Sequence, residues 1–268
     1  MFEQKENYGI SDLIGIMCLL RSENGCPWDR EQTHSSIRMN VIEEAYEVAE
    51  AIDSGDAALL KEELGDLLLQ VVFHAQIESE INSFGLDDVC DEICKKLIYR
   101  HPHVFSNADV NSSAEVLKNW DKLKSKSKGE KKSSDSLYNV PKILPALMRG
   151  EKIGKRAANA GFDFADTGEV IERLKEEIKE LEIAVINKNE AEIEEEFGDI
   201  LFSCCNLARF LKKDSEKALT SAINKFIMRF RAVEALAEKL DIPQGKTLSE
   251  LPQSMLDELW EKAKTYRV

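Results

Sequence analysis

The residues best suited to chemistry in this chain are acids, and they occur twice in the same pattern. Glu43, Glu44 and Glu47 form an EExxE run, followed by Glu62, Glu63 and Asp66. At an offset of 133 residues the pattern returns as Glu176, Glu177 and Glu180, then Glu195, Glu196 and Asp199. At ~100° of turn per residue, each trio falls within one ~100° arc of a helix. Acids three and four positions apart are surface neighbours, so each arc concentrates like charge. Carboxylates gathered in this way repel one another unless a cation neutralises them. Oxygen-only ligation suits Mg²⁺ or Mn²⁺ rather than Zn²⁺ or copper, and Mg²⁺ commonly bridges to substrate phosphates. Lys96 and Arg100, and likewise Lys225 and Arg229, lie one turn apart and could grip phosphate oxygens that a metal leaves uncovered. Trp120 and Trp260 could offer an apolar wall or a stacking face for a base.

A lone EExxE is usually a solvated helix face. Here the acids keep register across two copies while their apolar neighbours change. Leu67, Leu68, Val71, Val72 and Ala75 become Ile200, Leu201, Cys204, Cys205 and Ala208. The adjacent cysteines therefore stand where valines stand, and core packing explains them better than redox chemistry. The acids also border these apolar stripes. If the two helices of each copy pack antiparallel, both arcs face one cleft, as in bundles that build metal sites from facing helices.

The elements that must hold the acids read as helices. Val41, Ile42, Ala45, Val48, Ala49 and Ile52 recur at helical spacing, and so does the stripe from Leu67 to Ala75. Strand-like alternation with turn dipeptides is hard to find, so the expected class is all-α. Residues 122–136, KLKSKSKGEKKSSDS, are rich in Lys and Ser and nearly free of apolar side chains. They are predicted to be a flexible linker between a first module, residues 1–121, and a second, residues 137–268. Pro141 to Arg156 reads as an ordered lead-in to the second module. Each module closes on Trp-acid-Lys-x-Lys, at Trp120 and at Trp260.

The chain has 268 residues, 36 Lys plus Arg against 50 Asp plus Glu, and a formal net charge of −14. With 43% apolar residues it can bury a core, which excludes global disorder. The acid excess argues against binding to nucleic-acid polymers or an anionic membrane. It does not argue against a phosphorylated ligand accompanied by a divalent cation. No run approaches the ~20 apolar residues of a membrane span. The short stretch from Leu13 to Leu20 is expected to be an amphipathic helix rather than a signal peptide. Six cysteines are too few for a disulfide scaffold. No pair of CxxC motifs exists, so a structural zinc site is not expected. Free thiols fit a reducing compartment, and the cytoplasm is the default. The single ExxH ending at His34 does not make a di-iron site, and His101-Pro-His103 reads as a structural turn. Cys26-Pro27-Trp28-Asp29 is expected to be a structural turn with Trp28 packed. Neither a P-loop nor a GxSxG elbow is present.

Taken together, the acid motifs resemble those of the all-α nucleoside triphosphate pyrophosphohydrolases, and the two-copy arrangement resembles the two-domain MazG type. Further stretches carry the likeness: GCPWDREQTH from Gly25, EELGDLLLQVVFHAQ from Glu62, RHPHVF from Arg100, PALMRGEKIGKRAANAGFDF from Pro145 and EEEFGDILF from Glu194. The resemblance covers nearly the whole chain outside the linker. It implies Mg²⁺-dependent hydrolysis of ribo- and deoxynucleoside triphosphates to the monophosphate and pyrophosphate, with a role in clearing nucleotide pools. It also implies an intertwined homodimer. By motif position, it makes Glu177, Glu180, Glu196 and Asp199 metal ligands, Lys225 and Arg229 triphosphate contacts, and Trp260 a neighbour of the base. In the first module the same positions are Glu44, Glu47, Glu63, Asp66, Lys96, Arg100 and Trp120. Glu176 or Glu177 would orient the attacking water or accept its proton. The family implies that the second module often dominates, although both modules keep every motif acid. A narrower nucleotide-cleaning enzyme and a regulatory nucleotide-binding module remain the competing readings.

Overall fold

The computed structural model describes residues 4–106, 132–239 and 248–265, with positions 112, 115, 116, 119, 120, 123 and 127. Among the described residues the regular structure is helical, without strands. Two compact units divide the chain, Met1–Lys124 and Ser125–Val268. Most of the predicted linker lies outside the described residues. Its C-terminal end differs from the expectation, because Ser133–Tyr138 is a helix. The side chain of Asp135 explains this: it accepts from the Lys132 N–H at 2.9 Å and caps the first turn.

In the first unit, α1 (Ile10–Leu20), α2 (Pro27–Glu31), α3 (Arg38–Ser54), α4 (Ala57–Glu80), α5 (Leu86–Arg100) and α6 (Pro102–Phe105) follow in order. The expected N-terminal amphipathic helix is α1. Its Met17 packs with Ile37, Val72 and Phe73 in a small core. Arg21, which ends α1, is buried and pairs with Glu80 at 2.7 and 2.8 Å. The same guanidinium donates to the backbone oxygens of Asp29 and Gln32. It thereby fixes the loop that leads into α3.

In the second unit the described helices are α7 (Ser133–Tyr138), α8 (Ala146–Asn159), α9 (Thr167–Asn187), α10 (Glu190–Phe210), α11 (Ser215–Glu238) and α12 (Gln253–Ala263). The ordered lead-in is realised as α8, which packs on α10. Gly154 permits this approach: a Cβ there would stand 2.5 Å from the Asn206 side-chain oxygen. A separate core joins Ala232, Val233 and Ala237 of α11 to Leu259 and Ala263 of α12.

The two acid-bearing helix pairs, α3–α4 and α9–α10, turn at matching positions. Gly55 ends α3 with φ of 72°, and Lys188 ends α9 with φ of 54°. Asp56 then caps α4 by accepting from the N–H groups of Ala58 and Leu59. A left-handed residue after a helix satisfies its last carbonyls and reverses the chain within two residues.

Some of the predicted stripes are only partly covered. Helix α3 buries only Ala51 among its described residues, and Ile52 is 60% exposed. Cys205 is buried, as its valine counterpart Val72 is, but Cys204 is exposed, as Val71 is. The core-packing explanation therefore holds for Cys205 alone. Each stripe is wider than the surface its own unit covers.

Lys188 in the left-handed region carries a Cβ penalty that Gly55 avoids. Urea unfolding should therefore show Gly55→Ala losing about 1 kcal/mol and Lys188→Gly unchanged or more stable. Equal losses in both would contradict the turn assignment.

Candidate metal centre

The short turns bring the acid arcs of each helix pair together. Glu44 of α3 meets Glu63 and Asp66 of α4, and Glu177 of α9 meets Glu196 and Asp199 of α10. In each triad one carboxylate oxygen per residue lies within 4.8 Å of the others. The arrangement is the same in both units, at the register the sequence shows. Glu47 and Glu180 sit one turn along, close enough to press on their neighbours but outside the tightest set. Glu47 contacts Glu44, and Glu180 contacts Glu177.

Crowding shows in the protonation equilibria. Burial raises the Glu44 carboxyl above its usual value, and Glu47, Asp66 and Glu63 add to the effect. Glu63 is raised by desolvation and then by Glu47, Glu62 and Asp66. Glu196 is raised by desolvation, then by Glu180 and Asp199. Glu177 is also raised by desolvation, against the opposing pull of Arg173.

Arg173 is a functional candidate that the sequence patterns did not reveal. Its Nε lies 2.8 Å from Glu177, and its guanidinium also reaches Glu176 at 3.2 Å. The corresponding position in the first copy is Asn40, so the repeat gave no signal for it. The i, i+4 spacing to Glu177 was the available clue. The first unit instead places Gln70 beside its triad, with Nε2 3.5 Å from Glu44.

One observation tests whether these residues suit a cation. Glu177 is 3% exposed, and its Oε2 has no hydrogen-bond partner among the described residues. A buried carboxylate oxygen without a donor is costly, and a hard divalent cation supplies what it lacks. The donor set is all oxygen. The residues fit a hard divalent cation, which Glu177, Glu196 and Asp199 would hold in one unit and Glu44, Glu63 and Asp66 in the other.

The predicted phosphate and base contacts are placed differently. Arg100 lies over the Trp120 ring, 5.3 Å from its centre. Lys96 pairs with Glu92 on its own helix at 2.6 Å. Lys225 is exposed and Arg229 half-buried, and neither forms an ion pair with the acids among the described residues. Trp260 is packed on the α11–α12 core, with its ring 5.2 Å from that of Phe226. Trp28, expected to be packed, is 59% exposed. The backbone around it is nonetheless held: Gln32 Nε2 donates to the Trp28 carbonyl at 2.8 Å. His101 follows the expected turn, its Nδ1 lying 2.7 Å from the Leu97 carbonyl.

The site is thus a carboxylate triad on each of two turned helix pairs of an all-α chain, and comparisons with known proteins supply its class. The MazG nucleotide pyrophosphohydrolase domain matches twice, over residues 32–105 and 166–233. A protein named nucleoside triphosphate pyrophosphohydrolase/pyrophosphatase MazG from Thermotoga maritima is 48% identical over 94% of this chain and 94% of its own length. A nucleoside triphosphate pyrophosphohydrolase from Escherichia coli is 42% identical over 97% of this chain and 98% of its own. The chain belongs to the MazG nucleotide pyrophosphohydrolase family.

The raised carboxyls carry a definite sign. Their protonated forms are favoured in the folded chain, so the stability they contribute is present below the ordinary carboxylate pKa. It is lost as pH rises through the raised values. A bound cation reverses the loss. The rise in melting temperature on adding Mg²⁺ should be small at pH 5 and larger at pH 8. The same rise at both pH values would contradict the assignment.

Proposed function

We propose that this chain hydrolyses ribo- and deoxynucleoside triphosphates to the monophosphate and pyrophosphate with Mg²⁺, and clears unwanted nucleotides in the cytoplasm. The observation that carries the reading is the buried, partnerless Glu177 oxygen within a triad of acids. Family membership supplies the reaction class, and the names of the relatives supply the substrate class.

When bound, the metal neutralises phosphate charge and acidifies water. The chain's own groups do the rest. Glu177, Glu196 and Asp199 would hold the ion, with Glu180 one turn away to complete the set. Glu176 is exposed beside the triad and able to orient the attacking water or take its proton. Lys225 and Arg229 supply positive charge for the triphosphate, and Trp260 an aromatic edge for the base. The first unit offers Glu44, Glu47, Glu63 and Asp66, with Lys96, Arg100 and Trp120, for the same roles.

A homodimer is part of this reading. The helices that carry the basic residues leave apolar rows uncovered: Ile93, Leu97 and Ile98 on α5, and Ile223, Phe226, Ile227 and Met228 on α11. Leu64, Leu68, Phe197 and Leu201 leave the outer edges of the acid-bearing helices uncovered as well. Exposed apolar surface of this extent marks an association face. A second copy that covers it would extend the helix pairs into a closed bundle and bring basic side chains toward the acids. No described helix is long and apolar enough to cross a membrane.

Pyrophosphate release from a panel of nucleoside triphosphates with Mg²⁺ tests the reading. Glu196→Ala and Asp199→Ala should each cut turnover by at least a hundredfold with helicity intact, and Glu63→Ala should cost less. Wild-type turnover in both second-unit variants would refute the assignment. Saturable binding without turnover of any nucleotide would replace it with a regulatory module.

A further inference from the structure

The second unit divides its functional residues between two parts. The pair α9–α10, with α8 packed on it, carries the acids. Helices α11 and α12, joined through their own core, form an arm that carries Lys225, Arg229 and Trp260. The chain passes from one part to the other through residues 211–214, where Lys212 is left-handed with φ of 55°. The buried residues toward the far end of α11 pack on α12, so they do not tie the arm to the acid-bearing helices.

At this joint Glu151 of α8 reaches across. Its Oε1 accepts from the backbone N–H of Ser215, the first residue of α11, at 2.5 Å. That N–H has no partner inside its own helix. Asp214 caps the same turn by accepting from the Lys217 N–H at 2.9 Å, so the two carboxylates take different donors. An anion at this end also meets the positive end of the helix dipole. Ser215 and Cys205 are both buried here, and the Glu151 charge adds to burial in holding the Cys205 thiol above its usual value. Gly150 permits the close approach of α8, because a Cβ there would stand 2.9 Å from the Cys205 Sγ. The first unit has no such pin. The position of Glu151 is Cys18, exposed on α1, and α5 is capped from within by Asp88, which accepts from the Gly85 N–H at 2.8 Å.

We propose that Glu151 is a positioning residue for the second unit's reaction: it pins the first turn of α11 to α8 and so sets the direction in which the arm presents Lys225, Arg229 and Trp260. The proposal rests on the nucleotide reading given above. At 1.5 Å per residue, Lys225 and Arg229 lie about 15 and 21 Å along α11 from Ser215. A tilt of ~10° at the pin therefore moves Arg229 by roughly 4 Å, more than a hydrogen bond tolerates. The acids stay where the α9–α10 turn puts them, so loss of the pin separates the phosphate contacts from the metal ligands without disturbing either set. The pin acts on the arm itself, and it serves the acids of the same chain or of a second copy alike.

The test is steady-state pyrophosphate release by the full chain, with Mg²⁺ and whichever nucleoside triphosphate of the panel turns over fastest. Mn²⁺ affinity is measured in parallel. Glu151→Ala should raise KM about tenfold and leave kcat within about twofold, with Mn²⁺ affinity unchanged. Glu151→Gln should restore KM, because its amide oxygen still accepts from Ser215. Ser215→Pro removes the donor instead. Proline is tolerated at the first helical position, and Asp214 before it is already extended. This variant should raise KM as Glu151→Ala does, and the double variant should add nothing further. It also keeps the test decisive if Glu151→Ala does not fold. An unchanged KM in Ser215→Pro, beside a raised KM in Lys225→Ala and Arg229→Ala, overturns the proposal and leaves the nucleotide reading standing. If Lys225→Ala and Arg229→Ala also leave KM unchanged, the arm carries no triphosphate contact and the proposal falls with that assignment. A wild-type chain that turns over no nucleotide refutes the proposed function and the proposal together.

Discussion

Three carboxylates whose oxygens lie within 4.8 Å of one another push each other apart, and both halves of this protein are built to hold them there. The constraint begins at the turns. A left-handed residue at Gly55 or Lys188 lets the second helix of each pair fold back within two residues. Glu44 then faces Glu63 and Asp66, and Glu177 faces Glu196 and Asp199. Burial behind apolar stripes raises the cost of ionisation, as the upward shifts of Glu44, Glu63, Glu177 and Glu196 record. The folded chain stores electrostatic strain that a bound divalent cation would relieve. Much of the excess of acids over bases thus gains a location: it borders two sites instead of spreading over the surface.

The two units answer the same repulsion with different neighbours. The second places Arg173 against Glu177, so a fixed positive charge already offsets part of the cluster. The first has Asn40 there, and sets the neutral amide of Gln70 beside Glu44. Past Gln70 the first unit continues into His74, His34 and Glu78, where the second has Leu207, Thr167 and Leu211. Duplication preserved the acids and let the surroundings diverge. Two triads of the same acids thus stand in different electrostatic surroundings.

What could be read from the sequence was whatever depends on local periodicity. Helical spacing gave the all-α class, and the fixed offset between copies gave both triads, since residues three and four apart share a face in any helix. Features decided by contacts between distant segments were hidden. Arg173 has no counterpart in the repeat. The His34–His74 pair joins residues far apart in sequence. Trp28 looked like a core residue by type, yet the turn around it is held by Arg21 and Gln32 without needing the ring. Cys204 matched a valine that is itself exposed. The apolar stripes showed which faces seek burial, but not whether their own unit supplies the cover.

The most direct measurement of the central claim is an anomalous difference map from crystals of the full chain grown with Mn²⁺ and a non-hydrolysable nucleoside triphosphate. A peak is expected bounded by Glu177, Glu196 and Asp199 with the triphosphate against it, and a second peak among Glu44, Glu63 and Asp66. A map with bound nucleotide and no peak at either triad would contradict it.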